Sequence, residues 1–364
     1  MESRRTVFLY PLSLLYGLIT DARNFLFDNG VLKSEEFKIP VICVGNITSG
    51  GTGKTPHIEY LIELLRKDFN VALLSRGYKR KSCGFRIAGP SSGVRDIGDE
   101  PMQIYRKFPD ITVAVDTKRV RGIQNILKEK PDTSVILLDD GFQHRKVTPG
   151  FSILLTEFDR LMIRDSLLPY GNLRESISNT RRADIILVTK SPENISPINR
   201  RIISKEIDKA PYQNLYFTSL TYDAPKPLFE KVAEELFDFN GKVQEETGIV
   251  LVTGIANPRQ IAGYLKRNVS EIVHLQFPDH HNFKQADIEK IHNAFIALKS
   301  SVKYVITTEK DAARLREFTN IAEPVRSSFY YIPVRVIFLN NDKPEFDNII
   351  ADYVRKNKRN NRVS

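Results

Sequence analysis

The chain has 364 residues, 41% of them apolar, which is enough to bury two cores and excludes a globally disordered protein. Its two cysteines, Cys43 and Cys83, exclude a disulfide framework and fit a reducing compartment. The 54 Lys and Arg against 44 Asp and Glu leave a net charge of +10, so the partner is expected to be anionic, and no aromatic-interleaved basic stretch argues for nucleic acid.

The N-terminal run Thr6 to Thr20 holds 15 residues without a charge, shorter than the roughly 18 that spanning a bilayer requires. A helix starting near Pro11 places Leu12, Leu15, Tyr16, Ile19 and Leu26 on one face, with Arg4, Arg5 and Arg23 able to meet lipid headgroups. An interfacial membrane helix and an ordinary helix docked on the core both fit this pattern. A signal peptide fits less well, because Asp21 and Arg23 follow at once and no small-x-small cleavage site is present.

From Lys38 short apolar runs alternate with helical stretches, as in a parallel sheet with crossover helices. The pattern predicts a strand over Val41 to Gly45, a helix over Ile58 to Phe69 and a strand over Val71 to Ser75. Further strands are predicted over Thr112 to Val115, Val135 to Leu138, Phe151 to Leu155, Ile185 to Thr189 and Leu215 to Tyr222. The polar stretch Asp223 to Thr247, with Pro225 and Pro227, reads as a linker. A second α/β unit begins at Ile249 to Gly254 and continues through strands over Val302 to Thr307 and Tyr330 to Leu339. The basic tail, Arg355 to Arg359 with Arg362, reads as a solvated, disordered end.

The segment Val44 to Pro56 lies between a predicted strand and a predicted helix and contains Gly50-Gly51-Thr52-Gly53-Lys54-Thr55. Glycines there let backbone N–H groups turn onto nucleotide phosphates at a helix N-terminus, Lys54 can reach the β and γ phosphates, and the Thr55 hydroxyl can bind Mg²⁺. The spacing departs from the common loop, whose first glycine falls here on Thr48, and matches the Gly-Gly-x-Gly-Lys-Thr variant. The strand Val135 to Leu138 ends in Asp139-Asp140, carboxylates suited to a metal or to orienting a reactant beside such a loop. Thr189-Lys190-Ser191-Pro192 lacks the Asp with which guanine-specific proteins read their base, so ATP is favoured over GTP. Proton acceptors for a phosphoryl transfer are Asp99, in Gly98-Asp99-Glu100-Pro101, and the histidines of Phe277-Pro278-Asp279-His280-His281. Asp99 also suits a helix N-cap, and residues 279–281 a surface turn.

Taken with Ser75-Arg76-Gly77-Tyr78, Asp139-Asp140-Gly141-Phe142-Gln143-His144, Gly171-Asn172-Leu173-Arg174-Glu175 and Thr307-Thr308-Glu309-Lys310-Asp311, these motifs resemble the tetraacyldisaccharide 4′-kinase family, in order from about residue 5 to 340. The resemblance implies transfer of the ATP γ-phosphate to the 4′-hydroxyl of a tetraacyldisaccharide 1-phosphate at the cytoplasmic face of a bacterial inner membrane. It implies Asp99 as base, His280 as its partner (His281 being the neighbouring alternative), and Asp139 and Asp140 as the acidic pair. It further implies Thr55, Asp139 and Glu175 on the metal side, and Arg119, Asn172 and Arg174 toward the glycolipid. The fold class expected is α/β: a P-loop NTPase parallel sheet with helices on both faces, a second smaller α/β domain and an N-terminal membrane-interfacial helix. The corresponding divisions are 1–35 for the amphipathic segment, 36–222 for the kinase domain, 223–345 for the second domain and 346–364 for a terminal helix and basic tail. The partners expected are the glycolipid and the inner-membrane surface, without nucleic acid, for a monomer. The rival reading is a membrane-bound switch ATPase, which shares the glycine loop but carries a lysine where this chain has Ser49.

Overall fold

The computed structural model describes residues 7–229 and 244–363, so Arg4, Arg5 and the middle of the expected linker lie outside the described residues. The chain divides into two compact units, residues 1–220 with 336–364 and residues 221–335. The first is built on a sheet of β1 (Val41–Gly45), β2 (Val71–Ser75), β3 (Arg86–Ile87), β4 (Thr112–Val115), β5 (Val135–Asp139), β6 (Phe151–Glu157), β7 (Ile185–Thr189) and β8 (Asn214–Tyr222). The second sheet takes β9 (Lys226–Pro227), β10 (Gln244–Thr253), β11 (Val269–Gln276), β12 (Val302–Thr308) and β13 (Phe329–Ile332), after which β14 (Val334–Phe338) returns to the first.

The first sheet has the order β14-β8-β7-β6-β1-β5-β2-β4-β3. Its strands from β8 through β4 pair in parallel, and β3 closes one edge antiparallel. The central strands are buried along their whole length, which is why they read as unbroken apolar runs instead of alternating ones. Alternation is still visible within β1, where Val41 and Cys43 enter one core and Ile42 and Val44 the other. With α1 (Tyr10–Asp28) lying ahead of the sheet, the core on one face is completed by α2 (Lys54–Leu65) and α4 (Asp99–Lys107), which follows the short α3 (Val94–Ile97). The other face is covered by α5 (Arg119–Glu129) and α6 (Pro197–Ile207).

The second unit has the order β11-β10-β12-β13-β9, parallel except for β9. Here α7 (Arg259–Lys266) covers one face, and α8 (Gln285–Ala297) and α9 (Glu309–Leu315) cover the other. The run Tyr330 to Leu339, expected as one strand, is two strands in different sheets. Pro333 separates them: without an N–H it cannot continue a ladder, and the chain changes sheets there. The basic tail also differs from expectation, since α10 (Lys343–Val363) runs through it as helix, with Phe346, Ile350 and Val354 anchored in the core of the first unit.

Helix α1 is amphipathic with its polarity reversed. Ser13, Gly17, Asn24 and Phe27 face inward, while Leu12, Leu14, Leu15, Leu18, Ile19 and Phe25 face outward. The inward contacts are hydrogen bonds: Ser13 Oγ donates to the Leu167 carbonyl (2.8 Å), Tyr16 OH to the Arg174 carbonyl (2.9 Å) and Asn24 Nδ2 to Glu175 and Asn179 (3.0 Å each). No helix among the described residues is long and apolar enough to cross a membrane.

Candidate active site

Because β6, β1, β5 and β2 run parallel, their C-terminal ends and the loops that follow lie on one edge of the sheet, where doubly wound α/β folds place ligands. The glycine loop leaves β1 there and enters α2 at Lys54. Gly50 and Gly53 take φ of 115° and 83°, backbone that side-chain-bearing residues seldom adopt, and Gly53 stands at the helix N-cap without a capping side chain. A Cβ on Gly50 would stand 2.8 Å from the Arg160 guanidinium, the mobile end of a long side chain, so it is the positive φ that calls for glycine there. The Gly171 to Glu175 segment pairs directly with the entry to this loop: Ser49 N–H donates to the Asn172 carbonyl (2.7 Å), Arg174 N–H donates to the Ile47 carbonyl (2.7 Å), and Thr48 bridges Leu173. Ser49, the position that separates this loop from the switch ATPases, is thus a point of attachment for that segment.

Lys54 reaches Asn46 Oδ1 (3.2 Å) and Asp140 Oδ1 (3.4 Å), and Arg174 reaches Asp140 Oδ2 (3.2 Å). The loop and the acidic pair are therefore joined through charge. Burial pushes the Asp140 carboxyl up, but Lys54 and Arg174 outweigh it and hold the group below the usual carboxylate range. Asp139 goes the other way: burial, then the neighbouring charges of Glu100 and Asp140, push it up to about 7, while Ser75 Oγ donates to its Oδ2 (2.9 Å). A carboxyl crowded by other carboxylates is where a divalent cation replaces a proton favourably. Among the described residues no group of three or more His, Cys, Asp or Glu could hold a metal alone. Mg²⁺ takes one or two carboxylates and completes its shell with water and substrate phosphates.

Asp99 is buried as the first residue of α4, with Gly98, not Asp99 itself, at the N-cap. Gly98 has φ of 95° and packs against Tyr78 and Gly77, which sets the Gly-Asp-Glu-Pro turn on the Ser-Arg-Gly-Tyr turn after β2. Asn172 is held by Asp165 through its Nδ2 (2.9 Å). Arg119 is buried, its guanidinium donating to the carbonyls of Asp116 (2.5 Å) and Asp139 (3.2 Å), so it lies beneath the acidic pair and not at the surface. Glu175 is also buried. Its Oε2 accepts from Arg182 (2.5 Å) and from Asn24 of α1, while its Oε1 has no hydrogen-bond partner. A cavity of about 260 Å³ is lined by residues including Phe142, His144, Arg145 and Arg182.

In the second unit the Phe-Pro-Asp-His-His and Thr-Thr-Glu-Lys-Asp motifs form one cluster. Asp311 Oδ2 accepts from Gly254 N–H (2.8 Å) and Thr308 Oγ1 (2.7 Å), and Arg314 donates to the His281 carbonyl (3.0 Å). The two histidines are used differently. His281 pairs with Asp287 (2.8 Å) and stacks on Phe277, whereas His280 has φ of 57° and its Nε2 stands 3.1 Å from the Lys310 ammonium.

Several contributors were not singled out from sequence. Ser75 opens the Ser-Arg-Gly-Tyr motif, and Glu100 follows Asp99 in the Gly-Asp-Glu-Pro motif. Arg182 and His57 carry no local signal, and Lys190 stands in the Thr-Lys-Ser-Pro segment that bears on the base; their partners are distant in sequence.

The chain matches the family described as tetraacyldisaccharide-1-P 4′-kinase (LpxK) over residues 5–355. It is 47% identical over 364 residues to the tetraacyldisaccharide 4′-kinase of Bacteroides thetaiotaomicron, covering 98% of this chain and 95% of that protein. It is 48% identical over 358 residues to that of Phocaeicola vulgatus, covering 98% and 97%. Among solved structures it is similar to the "apo" form of LpxK from Aquifex aeolicus in complex with ATP, with a TM-score of 0.73 and 28% identity over 95% of this chain and 98% of that one. A family match over nearly the whole length joins a glycine loop, an acidic pair and a Gly-Asn-Leu-Arg-Glu segment bridged to that loop: this chain belongs to the tetraacyldisaccharide 4′-kinase family.

Proposed function

We propose that the chain transfers the γ-phosphate of ATP to the 4′-hydroxyl of a tetraacyldisaccharide 1-phosphate, the lipid A precursor, at the cytoplasmic surface of a bacterial inner membrane. The observation that carries this reading is the attachment of the Gly171 to Glu175 segment to the glycine loop, with Lys54 and Arg174 sharing Asp140 between them. Lys54 and the amides of Gly53, Lys54 and Thr55 at the start of α2 hold and neutralise the phosphates. Mg²⁺ would neutralise charge on the nucleotide phosphates, and Thr55, Asp139 and the unpartnered Oε1 of Glu175 are the oxygens that would hold it.

Asp99 takes the proton of the attacking 4′-hydroxyl as its oxygen bonds to the γ-phosphorus and the bond to the β-phosphate oxygen breaks, releasing ADP. His280 assists Asp99, and Asp140 orients the reactants. Arg174 and Asn172 receive the acceptor sugar phosphate, with Arg119 adding positive charge from beneath. The outward apolar face of α1 lies in the interface, where the acyl chains of the acceptor are also held. The scheme draws on the residues of one copy, a monomer.

The test is transfer of labelled γ-phosphate from ATP to tetraacyldisaccharide 1-phosphate in detergent micelles. Wild type should form product, and Asp99→Ala should lower turnover by about 10²–10⁴ with ATP binding retained. Near-normal turnover in Asp99→Ala removes Asp99 as base, and no product from folded, ATP-binding wild type removes this acceptor.

A further inference from the structure

Three consecutive carbonyls of the glycine loop are held by side chains that lie outside it in sequence or further along α2. The Lys190 ammonium donates to the Gly51 carbonyl (2.6 Å), Thr189 Oγ1 to the Thr52 carbonyl (2.8 Å) and His57 Nδ1 to the Gly53 carbonyl (2.7 Å). Each of these side chains is itself fixed. Lys190 pairs with the buried Glu157 at the end of β6 (3.0 Å) and has φ of 55°. Thr189 is buried at the end of β7, and its hydroxyl lies 3.2 Å from the Thr156 carbonyl as well. The His57 Nε2 meets Thr218 Oγ1 of β8 at 2.9 Å, so the ring is held between loop and sheet.

A trans peptide unit is planar, with its C=O and N–H pointing in opposite directions. Tying the Thr52 and Gly53 carbonyls toward β7 and α2 therefore turns the N–H groups of Gly53 and Lys54 the other way. Those are the amides at the N-terminus of α2, where phosphate is bound.

We propose that His57, Thr189 and Lys190 are positioning residues for the nucleotide: they hold the carbonyls of residues 51–53 away from the phosphates and so preorganise the amides of Gly53 and Lys54 to receive them, the Thr52 N–H being used within the loop by the Gly50 carbonyl (3.0 Å). They touch neither phosphate nor acceptor, and act through the loop backbone. This inference rests on the reading of the glycine loop as the ATP site. It also gives a use to the Thr-Lys-Ser-Pro segment after β7, which is not suited to reading guanine.

The test uses the full-length protein with Thr189→Val, which keeps the shape and removes the hydroxyl, and Lys190→Met, which keeps the stem and removes the ammonium. ATP affinity is measured by titration of a fluorescent ATP analogue, and KM for ATP and for the acceptor in the micelle assay. Each variant should weaken ATP binding and raise KM for ATP about five- to tenfold, the loss of one hydrogen bond in a preorganised loop, with kcat and the acceptor KM within about twofold. Lys190→Arg should restore most of the affinity. Unchanged ATP affinity in folded variants overturns the proposal, as does a uniform loss of stability and of both KM values. The two variants alter different groups, so either one that folds decides the question. If wild type binds no ATP, the nucleotide reading fails and this proposal with it; if wild type binds ATP but transfers nothing, the acceptor alone is wrong and the affinities still judge the clamp.

Discussion

The reversed polarity of α1 makes a quantitative prediction for membrane binding. Leu14, Leu18 and Phe25 are 58%, 69% and 64% exposed, so together they leave nearly two whole apolar side chains in water. Full burial of such a side chain stabilises by about 1.5–3 kcal/mol, so transfer of the exposed parts into an interface is worth about 3–6 kcal/mol, and about half of that for shallow insertion. Replacing all three by Gln is therefore expected to weaken partition onto phosphatidylethanolamine and phosphatidylglycerol vesicles by about 10- to 100-fold, at about 1.4 kcal/mol per factor of ten. None of the three contributes to the inward face of α1, so thermal stability should change little. The assay is vesicle sedimentation, with Ile296→Gln as control, because Ile296 of the second unit is 70% exposed but lies on a helix without such a face. Equal partition of the triple variant and wild type would falsify the membrane role of α1, and an equal loss in the Ile296 variant would show that any exposed apolar residue suffices.

Three further outcomes are expected. Arg182→Met leaves the buried Glu175 with Asn24 alone and should cost about 3 kcal/mol, lowering Tm by about 6–12 °C in a differential scan; an unchanged Tm shows that Glu175 needs no cation. Burial lowers the His57 pKa to about 4 from an ordinary 6.5, so the unfolded chain binds the extra proton first, and stability present above about pH 6.5 is lost as pH falls toward 4. That loss amounts to about 3 kcal/mol, at about 1.4 kcal/mol per pKa unit, and His57→Asn should flatten this limb of a urea-midpoint profile; an unaltered acid limb removes His57 as its source. His281→Ala should lower stability of the second unit by removing the pair with Asp287 and the stack on Phe277, whereas His280→Ala should lower turnover with Tm kept; the reverse pattern in paired melting and turnover assays exchanges their roles.

Much of the first unit was legible because its strands are buried on both faces. Val135 to Leu138 and Ile185 to Thr189 stand out as apolar runs for that reason, and a glycine-rich turn between strand and helix has few other physical explanations. The motif residues Lys54, Asp139 and Asp140 were readable as chemistry because each sits at a strand end or helix start, where a side chain reaches the sheet edge. The sheet change at Pro333 was less legible, since a proline marks an interruption without saying where the chain goes next. Continuation of α10 through the basic tail was hidden by the tail's charge, which signals solvent exposure but not helix or coil.

The amino-acid sequence by itself determined the elements, the loop that takes phosphate and the family, because local periodicity and short motifs are properties of neighbouring residues. Only the tertiary structure decided which side chains act together. Arg119 carries a guanidinium that composition would place toward an anionic ligand, yet the fold buries it against two carbonyls beneath the acidic pair. Glu175 is divided between α1 and Arg182, and Lys190, 139 residues from Gly51, reaches its carbonyl because parallel pairing sets β6 and β7 in order beside β1. Such contacts depend on strand order and on the direction of each side chain, and neither is encoded in any one stretch of the chain.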